Sequence, residues 1–295
     1  MSANRLPSKL YKYRSFNVDT LRLLGREEVF YANPETFNDP LDCRPTVEID
    51  TDRTLLEKLC FRMLVAAGKD REAARKVIQN HRYMSTEWGD FNTDPEVEES
   101  YKQGIGIETK GLLDKEMALS GVLSLSARWN CPLMWSHYAD EHRGICIEFD
   151  MDRNLCENIK PVVYKRPVSI KISELAQWKL HNSDSAHQSV VDKYFFSKSR
   201  PWSYEKEWRD LRPSGATAAP FHISAVYFGF RCEHIIQTTI VKLLTDPDSA
   251  IKFYEMYPKD DSRFQRRLAN IGEIKANGVQ SSALMDFYES IKELN

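Results

Sequence analysis

The segment FSKSRPWSYEKEWRDLR, residues 196–212, carries the densest grouping of aromatic and charged side chains in the chain. Trp202 and Trp208 alternate roughly with Glu205 and Glu207, and this period of two predicts a β-strand with one apolar face. The proline before Trp202 ends any helix that precedes the strand. Within a strand, residues two positions apart point to the same side. The segment therefore predicts a pair of carboxylates on the polar face of a strand.

This carboxylate pair allows two interpretations. Like charges at such a distance raise each other's pKa unless a cation intervenes, and Arg209 follows on the same face. In one interpretation, Glu205 and Glu207 belong to a solvated strand face with a cross-strand ion pair. In the other, they form a Glu-x-Glu site enclosed by tryptophans. The segment alone leaves both open.

The whole chain has the composition of a globular protein with a sizeable core, with 295 residues, 42% hydrophobic and 28% charged. A net charge of −2 gives no overall attraction to nucleic acid or to an anionic membrane. The six cysteines show no metal-like spacing, which favours free thiols in a reducing compartment. Because there is no hydrophobic signal segment and no long apolar run, we expect a cytoplasmic protein without a membrane partner.

Strand-like and helix-like patterns divide the chain into two parts. Strand patterns occur before residue 52 and resume at residue 121, whereas apolar residues between them recur at steps of three and four. We therefore predict one domain formed by residues 1–51 and 121–295, with residues 52–120 as a helical insertion or cap. Strands and helices mix without strict alternation, which favours an α+β fold. A last amphipathic helix is predicted over residues 282–294.

The histidines do not form a recognisable metal motif. His137 and His142 are five positions apart, so they do not share one face of a helix. No acidic residue completes the pattern of a zinc-binding helix, and the sequence contains no glycine-rich phosphate loop and no nucleophile elbow. We therefore expect no metal ion.

Three polar motifs lie on separate predicted strands in a fixed order. They are Arg14, then Ser124 with Ser126, then Glu205 with Glu207. This order and these residue types resemble the Arg, Ser-x-Ser and Glu-x-Glu signature of the ADP-ribosyltransferases. The resemblance implies a mixed, mostly antiparallel sheet as the core and NAD as the substrate. Lys12 or Tyr13 remains an alternative to Arg14 in the first motif.

The resemblance also implies a role for each of these residues. Arg14 would contact the phosphates of NAD, the serine pair would brace the nicotinamide ribose, and Glu207 would hold that ribose. Breaking the bond between nicotinamide and ribose builds positive charge on the ribose, which a nearby carboxylate stabilises. Glu205 would orient or deprotonate an acceptor. Tyr13 or Tyr204 would wall the nicotinamide ring.

A second resemblance covers most of the chain. Five motifs carry it: LYKYRS (residues 10–15), FNDP (37–40), MWSHYAD (134–140), GICIEFD (144–150) and WSYEKEWR (202–209). In this order they resemble an uncharacterised bacterial family, the domain of unknown function 2971. The resemblance implies a bacterial cytoplasmic protein, with some relatives in phage-defence settings, and it supplies no activity.

These observations lead to three functional hypotheses. The first is an NAD-dependent ADP-ribosyltransferase or an NAD glycohydrolase, with an unknown protein or nucleic acid as acceptor. The second is a non-catalytic module that binds a nucleotide or a partner, suggested by the aromatic residues at 129–135 and by the loop at 37–40. The third is a nucleic-acid-processing enzyme that holds a divalent metal. Its candidate ligands are Glu148, Asp150, Glu205 and Glu207.

The position of the carboxylates in space separates a functional site from a surface ion pair. A functional site predicts that Arg14, Ser124 and Glu207 line one cleft with aromatic walls. It also predicts a serine within hydrogen-bond reach of Glu207, and a Glu207 that is more buried than Glu205.

Overall fold

The computed structural model describes residues 5–86, 89, 93–152, 156, 158–165, 169–246, 249–259 and 264–276. The helix predicted over residues 282–294 lies outside this part of the chain. Its strands are β1 (Lys9–Arg14), β2 (Glu28–Tyr31), β3 (Thr46–Glu48), β4 (Ser120–Ser126), β5 (Ile145–Asp150), β6 (Lys160–Pro161), β7 (Val163–Lys165), β8 (Ser169–Lys171), β9 (Ser197–Ser199), β10 (Glu207–Pro213), β11 (Gly215–Ala218), β12 (His222–Phe228), β13 (Lys252–Pro258) and β14 (Phe264–Leu268).

The described helices and the 3-10 turns given below lie between these strands, apart from the last helix, which follows β14. The helices are α1 (Val18–Arg26), α2 (Arg53–Ala66), α3 (Arg71–Ser85), α4 (Pro95–Met117), α5 (Pro132–Tyr138), α6 (Ile172–His181), α7 (Asp184–Phe195), α8 (His234–Leu244) and α9 (Ile271–Ala276). The 3-10 turns span Pro34–Thr36 and Arg200–Glu205.

Eight strands form the main sheet, in the order β14-β13-β12-β5-β1-β4-β10-β6. Neighbouring strands are antiparallel throughout, except that β12 and β13 are parallel. The prediction of an α+β fold with a mostly antiparallel sheet is confirmed. Arg14, the serine pair and Glu207 lie on the successive strands β1, β4 and β10, so the sheet brings these residues together.

The core lies around β5, whose apolar residues explain its central place. Ile145, Ile147 and Phe149 are fully buried in one cluster, together with residues of α1 and α8. The buried face of a strand favours branched and aromatic side chains over polar ones. Helix α1 begins at Asn17, whose side chain accepts a hydrogen bond from the backbone nitrogen of Thr20 at 2.9 Å.

The predicted insertion is helical and consists of α2, α3 and α4. Each of these helices begins after an aspartate whose carboxylate accepts from a backbone nitrogen of the first turn, at Asp52, Asp70 and Asp94. The three helices share an apolar core with α6, α7 and Val122 of β4. The division into a domain and an insertion therefore stays a prediction. Among the described residues, no helix combines the length and apolar character needed to cross a membrane.

Candidate functional site

A cleft opens in the main sheet between β1 and β4. Strand β1 pairs with β5 along its whole length, from Lys9 opposite Asp150 to Arg14 opposite Ile145. With β4 it pairs at one position, where Tyr11 lies opposite Ser126. Beyond that pair the two strands separate and enclose a cavity of about 380 Å³. This volume lies in the range of small-molecule sites, roughly 300–1,000 Å³.

The backbone of β4 remains hydrogen-bonded where β1 leaves it. Ala32 forms two backbone hydrogen bonds with Val122, at 3.0 and 2.9 Å. The Lys12 Nζ atom donates to the carbonyl oxygen of Ser124 at 2.8 Å. Because buried backbone groups need partners, these contacts let the strands separate without leaving the edge of β4 unpaired at these two residues. At Ser124, the side chain of Lys12 thus provides the hydrogen bond that a neighbouring strand would otherwise provide.

Six of the seven predicted site residues line this cleft. They are Tyr13, Arg14, Ser124, Ser126, Glu205 and Glu207. The seventh, Tyr204, is not among the lining residues. Its ring lies 6.4 Å from that of His137 and 6.0 Å from that of Trp202. The walls include the aromatic side chains of Tyr11, Phe37 and Tyr138.

The prediction of one strand through the Glu-x-Glu motif is wrong. Glu205 ends the 3-10 turn, Lys206 has a left-handed backbone with φ of 47°, and β10 begins at Glu207. The two carboxylates therefore reach the cleft from different elements. Glu207 is not the more buried of the two, since the exposed fractions are 3% for Glu205 and 6% for Glu207. The turn directs the Glu205 side chain into the protein, where Lys198 and Tyr138 donate hydrogen bonds to it.

Glu207 is held in a buried ion pair. Arg209, which is fully buried, donates from Nε and Nη2 to the two oxygens of Glu207, at 2.8 and 2.9 Å. The same guanidinium donates to Asp42 at 3.0 and 2.6 Å. Arg209, the Lys198 ammonium and the nearby Ser124 side chain outweigh burial and lower the pKa of Glu207 to about 2. Glu207 is thus a fixed negative charge at neutral pH.

Glu205 has the opposite titration behaviour. It accepts hydrogen bonds from Lys198 Nζ at 2.7 Å and from the Tyr138 hydroxyl at 2.8 Å. Burial and the neighbouring charge of Glu207 nevertheless raise its pKa above the ordinary value. Two carboxyl groups whose pKa values are pushed apart are typical of sites where one holds charge and the other exchanges a proton.

Lys198 joins the acidic residues into one cluster. Its ammonium lies 2.7 Å from Glu205, 3.2 Å from Asp42 and 3.5 Å from Glu207. These three charges outweigh the effect of burial and raise the pKa of Lys198. The two interpretations of the carboxylate pair are therefore not exclusive, because Glu205 and Glu207 form ion pairs and also line a cleft. Arg209 occupies both oxygens of Glu207, so this carboxylate has less capacity to take up a proton than Glu205 has.

The two serines of the cleft differ in their hydrogen bonds. Ser126 donates to the backbone carbonyl of Glu205 at 2.6 Å and accepts from the nitrogen of Arg128 at 3.1 Å. It therefore fixes the 3-10 turn against β4. Ser124 lies half-buried in the cleft, and its side chain helps to lower the pKa of Glu207. Tyr13 is buried and donates to the carbonyl of Arg128 at 2.8 Å, so its ring is a rigid part of the wall.

The cationic side of the cleft consists of Lys12 and Arg14. Burial and the charge of Arg14 lower the pKa of Lys12 to about 7, against an opposing effect of Glu207. Burial also lowers the pKa of Arg14. The Nε atom of Arg14 is buried and has no hydrogen-bond partner in the described part of the chain. The cleft thus has cations along β1 and carboxylates at β10 and the 3-10 turn.

The structure adds four cleft or cluster residues to those predicted: Asp42, Tyr138, Lys198 and Arg209. Arg209 was visible as the cation that follows the Glu-x-Glu motif, and Tyr138 lies within the MWSHYAD motif. Asp42 and Lys198 carried no such signal. Asp42 lies 167 residues from Arg209, its closest cationic partner, so no local spacing connects them.

The metal-site hypothesis places Glu148 together with Glu205 and Glu207. In the structure Glu148 lies on β5, where Lys9, Tyr227 and Ser224 bind it, and it does not line the cleft. Within the described ranges, no three His, Cys, Asp or Glu side chains are grouped closely enough to hold a metal ion. The third hypothesis therefore has no site among these residues.

Comparisons with known proteins give one match. Neither the curated proteins nor the solved structures contain a match to this chain. The resemblance to ADP-ribosyltransferases rests on the residues alone. The model of the family described as "Protein of unknown function (DUF2971)" matches residues 134–209, from α5 to β10. These residues include Tyr138, Lys198 and both carboxylates of the cleft, and the resemblance to the domain of unknown function 2971 is confirmed over this range, which holds three of the five motifs.

Proposed function

We propose that the chain binds NAD in the cleft between β1 and β4 and breaks the bond between nicotinamide and ribose. The ADP-ribosyl group would pass to a protein or nucleic-acid acceptor, or to water. The observation that carries this proposal is that Tyr13, Arg14, Ser124 and the two carboxylates line one cavity where the sheet opens. These residues come from three neighbouring strands and a turn, which makes a chance grouping a weak explanation.

The charge distribution of the cleft supports this substrate. NAD carries a diphosphate at its centre and develops positive charge on the nicotinamide ribose as the bond breaks. Lys12 and Arg14 offer cations for the diphosphate, and Glu207 offers a fixed negative charge for the ribose. An oriented charge in a site shielded from water stabilises a transition state without reorganising as the charge develops.

Glu205 suits the proton transfer that accompanies attack by the acceptor. The bond between the ribose carbon and the nicotinamide nitrogen breaks, and its electron pair leaves with nicotinamide. The acceptor then donates an electron pair to that carbon and loses a proton. Because the pKa of Glu205 is raised, its carboxylate takes up this proton more readily than an ordinary glutamate does.

Incubation with NAD labelled in the adenine moiety, with and without cell lysate, tests the proposal. We expect nicotinamide release and a labelled product, and a loss on the order of 10²-fold or more in Glu207→Gln. Glu255→Gln is the control, because Glu255 on β13 pairs with the exposed Arg267 on β14, away from the cleft. Circular dichroism verifies that each variant is folded. Absence of nicotinamide release, or a fully active Glu207→Gln, would contradict the proposal.

The second candidate is a non-catalytic nucleotide-binding module in the same cleft. The bidentate pairing of Glu207 with Arg209 favours it, since a carboxylate with both oxygens occupied has less capacity to contact a substrate. A ligand at a hundred times its Kd adds about 2.7 kcal/mol of stability. Stabilisation of the protein by NAD without any nicotinamide release would favour this candidate.

The cellular setting belongs to the same proposal. All six cysteines are unpaired, as suits a reducing cytoplasm, where NAD is available. A place in phage defence is an expectation from the family resemblance. It would be tested by the survival of phage-challenged bacteria that express the wild-type chain or Glu207→Gln.

A further inference from the structure

The cations of the cleft fall into two groups. Arg209 and Lys198 both contact carboxylates at 3.2 Å or less. In the described part of the chain, Lys12 contacts an uncharged carbonyl oxygen, and the buried Nε of Arg14 has no partner. Cations withdrawn from water are normally paired with anions. Among the described residues neither cation forms an ion pair, although Glu207 acts on Lys12 and Asp19 on Arg14 at longer range, and both cations face an open cavity.

We propose that Lys12 and Arg14 form a binding site for the diphosphate of a nucleotide, with the affinity highest when Lys12 carries a proton. The part of this inference that names the ligand rests on the proposed function, whereas the proton dependence rests on the cleft itself. The resemblance to ADP-ribosyltransferases assigns the phosphates to Arg14 and gives no role to a lysine that binds them together with it. The two side chains are two positions apart on β1 and line the same cavity.

A diphosphate suits this pair better than a carboxylate does. Two phosphate groups in a diester linkage carry two negative charges, one for each cation. The guanidinium of Arg14 offers a planar set of donors that matches two phosphate oxygens, and the ammonium of Lys12 is a compact point charge with three donors. The cavity of about 380 Å³ accommodates part of such a ligand.

The groups around Lys12 determine when it is charged. On β1 itself, Arg14 disfavours the protonated form, and on β10 Glu207 favours it. On β4 the carbonyl oxygen of Ser124 accepts from its ammonium. Across the cavity lie Asp42, Tyr138, Lys198 and Glu205. Burial is the largest influence, and it lowers the pKa of Lys12 to about 7.

The direction of the pH effect follows from linkage. Below pH 7 the free protein already holds Lys12 protonated, so an anion meets two cations. Above pH 7 the free protein loses this proton, and the bound anion must recover it. The affinity then falls by at most tenfold per pH unit and becomes constant above the pKa of Lys12 in the complex.

Isothermal titration of the full chain with ADP-ribose, from pH 6 to pH 9, tests this inference. Each phosphate of ADP-ribose has one ester bond and one anhydride bond and therefore a single, strongly acidic proton, so the ligand keeps its charge over this range. Adenosine is the uncharged control ligand. The variants are Lys12→Met, Lys12→Arg and, as a matched control, Lys58→Met, which removes an exposed lysine on α2.

We expect the Kd of the wild type and of Lys58→Met to rise several-fold to tenfold per pH unit above pH 7. Lys12→Arg should bind as tightly as the wild type does at pH 6 and keep that affinity to pH 9. Lys12→Met should bind weakly at every pH. If Lys12→Met does not fold, the profile of Lys12→Arg still decides. Wild-type binding that is absent or independent of pH, or a Lys12→Arg profile like the wild type's, would overturn the inference.

The two proposals fail in different ways. Proton-dependent ADP-ribose binding without nicotinamide release would remove the enzymatic function and retain the diphosphate site. Nicotinamide release with a pH-independent affinity for ADP-ribose would do the reverse.

Discussion

The two sides of β1 show how one strand serves both a core and a cleft. Toward β5, β1 is paired along its length, and its neighbours Ile145, Ile147 and Phe149 are fully buried. Toward β4, the pairing is confined to Tyr11 and Ser126. The closed side is held by a hydrogen-bonded ladder and apolar packing. On the open side, a cluster of buried charges borders the cleft.

This difference shows where each kind of interaction is needed. Apolar packing has no preferred direction and tolerates small shifts, so it stabilises a core. Buried ion pairs lose much of their energy when the geometry changes, so they fix a few atoms in place. We infer that the charge cluster keeps the cleft open, and that the ladder on the other side keeps β1 in the sheet.

The largest expected effect is that of Arg209→Met on the open side. This change leaves Asp42 and Glu207 buried without their main cation. We expect the free energy of unfolding to fall by about 3–5 kcal/mol, measured by urea denaturation. Arg267→Met is the control, because its ion pair with Glu255 is exposed on the arginine side and screened by solvent, so we expect a much smaller loss of stability. A loss below about 1 kcal/mol for Arg209→Met would show that the cluster is not what holds the open side.

The next effect is the acid dependence of stability that Glu207 contributes. Its pKa is about 2 in the folded protein and near 4.3 in an unfolded chain. The pKa is lowered by folding, so the contribution is complete above about pH 4.3 and is lost as the pH falls toward 2. The full effect is on the order of 3 kcal/mol.

Urea denaturation of the wild type and of Glu207→Gln between pH 6 and pH 2.5 measures this contribution. The difference in unfolding free energy between them should shrink as the pH falls. Glu148→Gln provides the comparison on the closed side. Its main cationic partner, Lys9, is 43% exposed, so we expect a smaller change there. A pH-independent difference for Glu207→Gln would contradict the assigned charge state.

A third change disturbs the closed side. In Gly144→Ala the added methyl group would collide with the carbonyl oxygen of Arg14 and approach that of Ala139. We expect a loss of about 1–3 kcal/mol, because the end of β1 must move. Gly111→Ala in α4 meets no atom within 4 Å and should gain about 0.5–1 kcal/mol from its helix propensity. Equal thermal denaturation midpoints for the two variants would contradict this assignment.

The smallest effect is that of Tyr138→Phe at the rim of the cleft. This variant removes the hydrogen bond to Glu205, for an expected loss of about 1 kcal/mol in a thermal or urea denaturation experiment. The hydrogen bond favours the ionised form, so the pKa of Glu205 should rise further. Tyr257→Phe, whose hydroxyl bonds to the side chain of Gln265 at the surface, is the matched control. A Tyr138→Phe variant no less stable than this control would show that the rim contact is dispensable.

The strands that form the cleft could be predicted from sequence because their patterns are local. The strands predicted at residues 10–16, 121–126 and 144–150 agree with β1, β4 and β5, the last from its apolar composition rather than from alternation. The prediction that polar residues of β1 and β4 lie close together came from the resemblance carried by the three polar motifs. It did not come from any predicted pairing between individual residues. The mostly antiparallel sheet follows the same resemblance.

The turn before β10 could not be predicted, because its sequence also has a period of two. Residues 200–205 form a 3-10 turn in which the carboxylate of Glu205 is fixed by Lys198 and Tyr138. The left-handed backbone of Lys206 has no sequence signal, since lysine is not a residue that favours it. Contacts distant in sequence decided the local structure. The separation of β1 from β4 is likewise set by tertiary contacts.

The place of β1 in the middle of the sheet has a consequence for the order of folding. Lys12 and Ser124 are 112 residues apart, and the strand on the other side of β1 comes later still. At a synthesis rate of about 5–20 residues per second, β1 waits several seconds on the ribosome before either neighbour exists. Contacts of such sequence separation are slow to form. We therefore expect the helices α2, α3 and α4 to collapse first and the cleft to be completed late. During that interval the polar residues of β1 would keep its unpaired edges from associating with other chains.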